Sequence, residues 1–410
     1  MINFVVIFLY VQTLSLNPFV QNFFNPDISL ISDFSFVGID IKDEWREELL
    51  IPEFISHSHS HISKSRGFNF NYLELVFSAF VDPYFELFSI NTINPEYGIE
   101  IHELYGDAKF LPSGIGSRIG IFKSEIGRHN SKHAHYWDFN DSPIIYDALL
   151  GSEGLSGLGL RITYTFPFNL FLKLGSEIFQ NSYEEPVSFN ADGYEFLDRK
   201  IESFSKPSLF TGYIKTSFDF INHVFLLGSS IIYGASNIFY SNHHKETSFN
   251  SAISSPGTVV YGFDVSYKYI IDAYRYISFQ GEYLSRIIDG KLYLMSETDT
   301  NLAIERDLYK INSGLYSEIV FKLNRRIRMG LRGDYLFEPF IRIDGNISQS
   351  NIKNLYKISF MAEYNFTEFS RIRFQYNYDH TKYFEEKMRP INEFILSINL
   401  SIGAHGAHMF

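Results

Sequence analysis

RIRFQYNYD, residues 371–379, alternates a charged or amide side chain with an apolar one along its whole length. Successive side chains of a strand point to opposite faces. Ile372, Phe374, Tyr376 and Tyr378 therefore share one face, and Arg371, Arg373, Gln375, Asn377 and Asp379 the other. The same pattern recurs on both sides of this stretch. Ile327, Met329, Leu331, Tyr335 and Phe337 oppose Arg326, Arg328, Arg332 and Asp334, and Phe394, Leu396, Ile398, Leu400 and Ile402 fall on one face of the last segment. An apolar face this regular, backed by a face this charged, suits strands with lipid on one side and water on the other.

Working outward, alternation bounded by turn residues predicts sixteen strands. They fall at 28–40, 68–80, 84–93, 98–109, 114–125, 154–166, 170–180, 208–219, 222–234, 257–270, 274–287, 312–323, 326–337, 354–366, 369–380 and 391–402. Most are near the ~10 residues that a tilted membrane strand needs. Connections at 81–83, 167–169, 324–325 and 367–368 are tight. Those at 42–67, 126–153, 181–207, 235–256, 288–311 and 338–353 are long, with a short exception at 94–97. Long outer loops alternating with short periplasmic turns are the barrel pattern. With both termini periplasmic the strand number must be even, and sixteen satisfies this. The predicted fold is all-β: a transmembrane antiparallel β-barrel of sixteen strands, porin-like, in the bacterial outer membrane. A soluble sandwich or propeller would have to bury both faces of strands whose polar face is too charged for it.

Composition agrees. Aromatic residues make up 18% of the 410 residues, with 42 Phe and 28 Tyr, yet only 20% are charged. No run approaches the ~18 apolar residues of a membrane helix. The chain has no cysteine, and its formal net charge of −12 argues against nucleic acid as a partner. MINFVVIFLYVQTLS, residues 1–15, reads as the apolar region of a secretory signal with small residues Thr13 and Ser15 before a cleavage point, although no Lys or Arg precedes Lys42. Residues 16–410 then form the barrel, with no second domain. The expected partners are outer-membrane lipid, the barrel-assembly machinery, small ions or solutes, and two further copies in a homo-trimer.

Four features carry chemistry. GRHNSKHAHYWDF, residues 127–139, lies in the third outer loop, which in sixteen-stranded porins folds inward and narrows the pore. His129, His133, His135 and Asp138 have the donor types of a labile metal site lining that constriction. The alternative is that they fix the loop by hydrogen bonds, with Trp137, Phe139 and Pro143 to Tyr146 pinning it to the wall. A catalytic role for a histidine with Ser131 or Asp138 lacks a nucleophile signature. In HSHSH, His57, His59 and His61 point the same way in an extended segment and could offer three imidazoles to one ion, or simply be solvated. Arg326, Arg328, Arg332, Lys357, Arg371 and Arg373 share the inferred lumen face, with Arg118 and Arg161 as further candidates. These pore-lining cations could set up a field for dipolar or anionic solutes. Alternatively they pair with Glu318, Asp334, Glu363 and Asp379. Finally, SIGAHGAHMF ends on the Phe that bacterial barrels use for assembly and carries His405 and His408.

Together these residues resemble the bacterial zinc-regulated outer-membrane proteins, also labelled zinc-regulated TonB-dependent outer-membrane receptors. The matching stretches begin with NISLI-x-DFSF, from Asn25 to Phe36 here, and a histidine loop. GFN-x-NY-x-EL follows at Gly67 to Leu75, then VDPYF at Val81 to Phe85. The central FGR-x-N-x-x-H-x-H-x-WDF has Ile126 in place of Phe and His129 in place of an apolar residue. GAHGAH-x-F closes the pattern. The resemblance implies zinc-controlled expression and a part in zinc passage, with labile zinc and no tightly bound cofactor. A TonB-dependent receptor needs a plug and about twenty-two strands, which this strand count does not accommodate. The expectation is therefore a non-enzymatic channel for small solutes, linked to zinc or another divalent metal. A non-diffusive metal receptor or surface metal-binding protein is the alternative, and an outer-membrane hydrolase the third.

Overall fold

Strand pairing closes on itself. In the computed structural model the barrel strands, in chain order, are β1 (Asp27–Ile39), β2 (Gly67–Phe80), β3 (Phe85–Asn94), β4 (Gly98–Ala108), β5 (Ile115–Lys123), β6 (Ser156–Thr165), β7 (Phe171–Phe179) and β8 (Leu209–Phe220). They continue with β9 (His223–Tyr240), β10 (Ser251–Ile270), β11 (Tyr276–Met295), β12 (Ala303–Lys322), β13 (Ile327–Leu336), β14 (Leu355–Thr367), β15 (Ser370–His380) and β16 (Ile391–Gly403). Each pairs antiparallel with its sequence neighbour, and β1 also pairs with β16 from Ser29 with Gly403 to Ile39 with Glu393. The structure describes residues 26–42, 51, 54, 65–94, 98–151, 153–182, 188–240, 251–296, 299, 301–348, 353–384 and 387–403. The signal segment, His57, His59, His61, His405 and His408 lie outside the described residues.

The two faces separate as the alternation predicts. On β16, Phe394, Leu396, Ile398, Leu400 and Ile402 are exposed while Ile395, Ser397, Asn399 and Ser401 are buried. On β15, Arg371, Arg373, Gln375, Asn377 and Asp379 are all buried. The outside is thus the apolar surface that meets lipid, and the polar groups are inside. β2 and β4 alternate less cleanly because each carries an extra residue. The pairing register shifts between Asp33 and Phe34 opposite β2, and between Ile90 and Asn91 opposite β4. One inserted residue breaks a period of two.

One end of the barrel carries short turns built by local hydrogen bonds. In the β2–β3 turn Asp82 Oδ1 accepts from the Tyr84 and Phe85 N–H groups, both at 2.8 Å. Asp272 and Asn324 repeat this device in the β10–β11 and β12–β13 turns. An Asx side chain that mimics the backbone explains why these sites are tight. Short turns face the periplasm.

The other end departs from expectation. β9 to β12 run to 18–20 residues, so the predicted loops 235–256 and 288–311 are largely strand. Pairing continues beyond the bilayer, where no lipid enforces apolar alternation. Two small hairpins lean on this raised wall. Phe196 and Ile201 pack with Ala252 and Ala303, and Ile341 packs with Ile253, Ile288, Leu292 and Leu308.

The largest apolar core sits inside the barrel. A short helix, α1 (Ile144–Leu149), buries Ile144, Ile145, Tyr146, Ala148 and Leu149. It packs against wall residues that include Phe179, Leu209, Leu284, Tyr316, Leu336 and Leu355.

Candidate functional site

The segment 124–155 between β5 and β6 enters the lumen and is tied to the wall from many sides. Its entry depends on Gly127, which has φ +56°. A Cβ there would collide with the Glu282 carboxylate and the Tyr146 hydroxyl. With glycine in place, the backbone comes close enough for Glu282 of β11 to accept from the Arg128 N–H at 3.1 Å and the His129 N–H at 2.8 Å. Glu282 also accepts from the hydroxyls of Tyr146 at 2.7 Å and Tyr316 at 2.6 Å. One buried carboxylate thus gathers four donors, which compensates its desolvation.

The loop matches the wall by charge. Toward β13 to β15 it presents acids. Asp138 pairs with Arg328, and Asp141 pairs with Arg332 at 2.7 Å and with Lys357. Asp141 also accepts from Gln375 at 2.7 Å. Burial opposes the Asp141 charge, but Arg332 and Lys357 outweigh it and hold its carboxyl well below the usual range. Toward β2, β4 and β7 the loop presents imidazoles, N–H and O–H groups, together with Glu125, which pairs with Lys173 of β7 at 2.7 Å. His133 Nε2 lies 2.7 Å from Glu103, and His135 Nδ1 lies 2.7 Å from Glu74. Ser124 Oγ and the Glu125 N–H donate to Glu177.

The three loop histidines therefore part company. His133 and His135 stack with ring centroids 6.1 Å apart but turn to different carboxylates. His129 stacks on Trp137 at 4.6 Å and meets Tyr146 at a tilt with ring centroids 4.9 Å apart, with Ser142 Oγ 3.3 Å from its Nε2. Burial, reinforced by Lys132 and Arg332, pushes the His129 imidazole well below its usual pKa. Among the described residues no group of three or more His, Asp or Glu side chains is placed to hold a metal ion. Asp138 is engaged by Arg328 rather than by a histidine. Phe139 is buried with Val320 and Met361, under the Arg332 guanidinium at 4.7 Å.

The basic ladder faces inward, but it holds the loop rather than lining open water. Arg332 is 1% exposed and reaches Asp141 and Asp334. Arg371 donates to the His135 carbonyl at 2.6 Å, and Arg373 pairs with Glu363 at 2.7 Å. Arg161 pairs with Glu177, and Arg118 with Asp107. Arg326 sits in the exposed β12–β13 turn, donating to the Tyr364 hydroxyl at 3.1 Å. Sequence reading missed Glu74, Glu103, Asp141 and Glu282. Each reads as one more polar residue in a strand or loop, and only closure of the barrel brings the wall carboxylates to the loop.

Below the loop, toward the short-turn end, lies a cavity of about 780 Å³. Its lining includes Arg128, Lys132 and Asp138 of the loop and Lys268, Tyr276 and Arg328 of the wall.

The fold has many counterparts among solved structures. OmpT, an outer-membrane protein of Vibrio cholerae, superposes with TM-score 0.52 at 11% identity, over 92% of this chain and 97% of its own. The anion-selective porin from Comamonas acidovorans gives 0.51 at 8%, over 92% and 99%. The outer-membrane channel DcaP of Acinetobacter baumannii gives 0.50 at 10%, over 92% and 96%. At such identities the likeness is one of fold, and it places the chain among outer-membrane β-barrels. No protein-family model matches. In sequence the chain is 39% identical over 399 residues to an uncharacterised protein of Aquifex aeolicus, covering 96% of this chain and 82% of that one. A sixteen-stranded outer-membrane barrel with an inserted loop, this chain belongs to the family of that Aquifex aeolicus protein.

Proposed function

We propose that the protein is an outer-membrane channel for small solutes whose path is narrowed by residues 124–155. The observation that carries this reading is the inserted segment itself, bonded to both the acidic and the basic side of the lumen above a cavity of about 780 Å³. Conductance in planar bilayers tests it. The wild-type protein should give small, steady openings. A variant with Glu282→Gln and Asp141→Asn, which loosens the segment on both sides, should give larger and noisier ones. No conductance from either protein would sink the channel reading.

A second reading is favoured by the apolar packing of α1 across the outer half of the lumen. It takes the barrel as a closed receptor or surface binding protein that passes nothing by free diffusion. The same bilayer measurement separates the two.

A divalent metal such as zinc is the finer proposal for the cargo. It rests on the sequence resemblance and on the pairs His133–Glu103 and His135–Glu74, which mix imidazole and carboxylate donors without forming a set of three. Zinc entry into proteoliposomes should fall several-fold in a His133→Ala, His135→Ala variant. Unchanged entry would remove the metal from the proposal. Assembly as a homo-trimer is part of the same proposal, and cross-linking that yields monomer alone would exclude it.

A further inference from the structure

The arginines of the short-turn end gather in one sector of an otherwise acidic chain. The β10–β11 turn carries Arg275, and the next short turn, β12–β13, carries Arg325 and Arg326. The other short turns have none: 81–84 reads VDPY, 109–114 KFLPSG, 166–170 FPFNL, 221–222 IN and 367–369 TEF. Lys109 among these is paired with Glu86. All three arginines line one surface groove, together with Tyr274 and Leu323. A second groove shares Tyr274, Arg325 and Arg326 with the first and extends to Phe366 and Glu368. Arg275 is taken by Asp272 at 2.6 Å, so the free charge is that of Arg325 and Arg326.

Both of these side chains are exposed, and phenols rather than carboxylates hold them. Arg325 lies over the Tyr274 ring, 3.9 Å from its centroid, and donates to its hydroxyl. Arg326 donates to the Tyr364 hydroxyl at 3.1 Å. Neither forms an ion pair among the described residues. A guanidinium has five N–H donors, so a bond to a phenol leaves most of each fork open. Tyr364 is exposed on the lipid-facing side of β14 with Phe360 and Phe366, which puts Arg326 where the apolar wall ends. Leu323 and Phe366, both exposed, line the two grooves beside the arginines. Guanidinium forks fit phosphate oxygens, and the apolar side chains next to them fit hydrocarbon. Two unpaired guanidinium groups against one phosphate leave an excess of positive charge, which favours a headgroup without a cation of its own.

We propose that the β10–β11 and β12–β13 turns bind an anionic phospholipid of the periplasmic leaflet, with Arg325 and Arg326 on the headgroup phosphate and Leu323 and Phe366 against the acyl chains. This surface lies outside the lumen path, and the proposal stands whether or not the barrel conducts. The purified barrel in detergent is incubated with equal amounts of phosphatidylglycerol and phosphatidylcholine, and native mass spectrometry counts the lipids retained. Phosphatidylglycerol should be favoured by at least about fivefold, the effect of one cation near a charged membrane surface. Arg325→Gln with Arg326→Gln should remove that preference. Arg325→Lys with Arg326→Lys should keep most of it, and heat-modifiable gel mobility shows that each variant is folded. Equal retention of the two lipids by the wild-type barrel would overturn the site. Displacement of phosphatidylglycerol by millimolar inorganic phosphate would overturn it in favour of a free anion. A folded glutamine variant that keeps the lipid preference would also overturn it, and if that variant no longer sediments with isolated peptidoglycan, the patch belongs to the cell wall instead.

Discussion

The two levels of the lumen handle charge in opposite ways. At the level of the inserted segment charges are matched, as in Asp141 with Arg332 and Lys357, while His133 faces Glu103 and His135 faces Glu74. In the cavity below, Arg128 and Lys268 have no carboxylate partner among the described residues. The difference follows from water. A charge packed against α1 and its surroundings must be paired because its desolvation is otherwise uncompensated. Arg128 and Lys268 are only partly buried, and the Lys268 ammonium rests against the Tyr276 ring instead of a carboxylate. The segment is thus a fixture of the barrel.

The sharpest way to break this contrast is to remove a buried partner at the upper level. Arg332→Ala leaves Asp334 without its ion-pair partner and Asp141 with Lys357 alone, and should cost about 3–5 kcal/mol. Denaturant unfolding followed by gel mobility would measure it, and a loss below about 1 kcal/mol would mean that water reaches the upper level. Glu282→Gln comes next. It keeps the shape but weakens bonds from four donors, and the expected loss is about 1.5–3 kcal/mol, read as faster proteolysis of residues 124–155.

A smaller effect has the opposite sign. Asp147 of α1 has its carboxyl pushed up to about 7 by burial, and its Oδ1 has no hydrogen-bond partner. Because the folded pKa lies above the unfolded one, the ionised carboxyl destabilises the segment above pH 7. That penalty fades as pH falls and vanishes below about 4, where both states are protonated. Asp147→Asn should therefore stabilise the segment at pH 8 by on the order of 1–2 kcal/mol, after discounting partial exposure, and have no effect near pH 4. Hydrogen exchange at the two pH values checks it, and equal effects at both would refute the assignment. The smallest effect is expected on the raised outer wall. Lys291 pairs with Asp307 at 2.8 Å and Glu305 at 3.1 Å, but it is half exposed. Lys291→Ala should leave the unfolding midpoint unchanged, since solvent screens such pairs.

How much of this was legible in advance differs by region. All sixteen strands lie where the alternation puts them, and the Asp82 and Asn324 turns could be read from their residues. The outer ends of β9 to β12 could not, because strand beyond the bilayer carries no lipid-facing pattern. The loop 127–139 stood out by its histidines, and Trp137 and Phe139 are buried as anchors. Its chemistry stayed ambiguous, because imidazoles spaced for metal are equally spaced to meet two separate carboxylates.

The sequence alone determined the strands, their two faces and the short turns, because these depend on neighbours one or two residues away and on a lipid surface common to every strand. Only the tertiary structure decided what the inserted loop does. Its partners Glu74, Glu103, Glu282 and Arg332 come from strands scattered along the chain, and no local spacing encodes which of them a closed barrel will bring to His129, His133, His135 or Asp141.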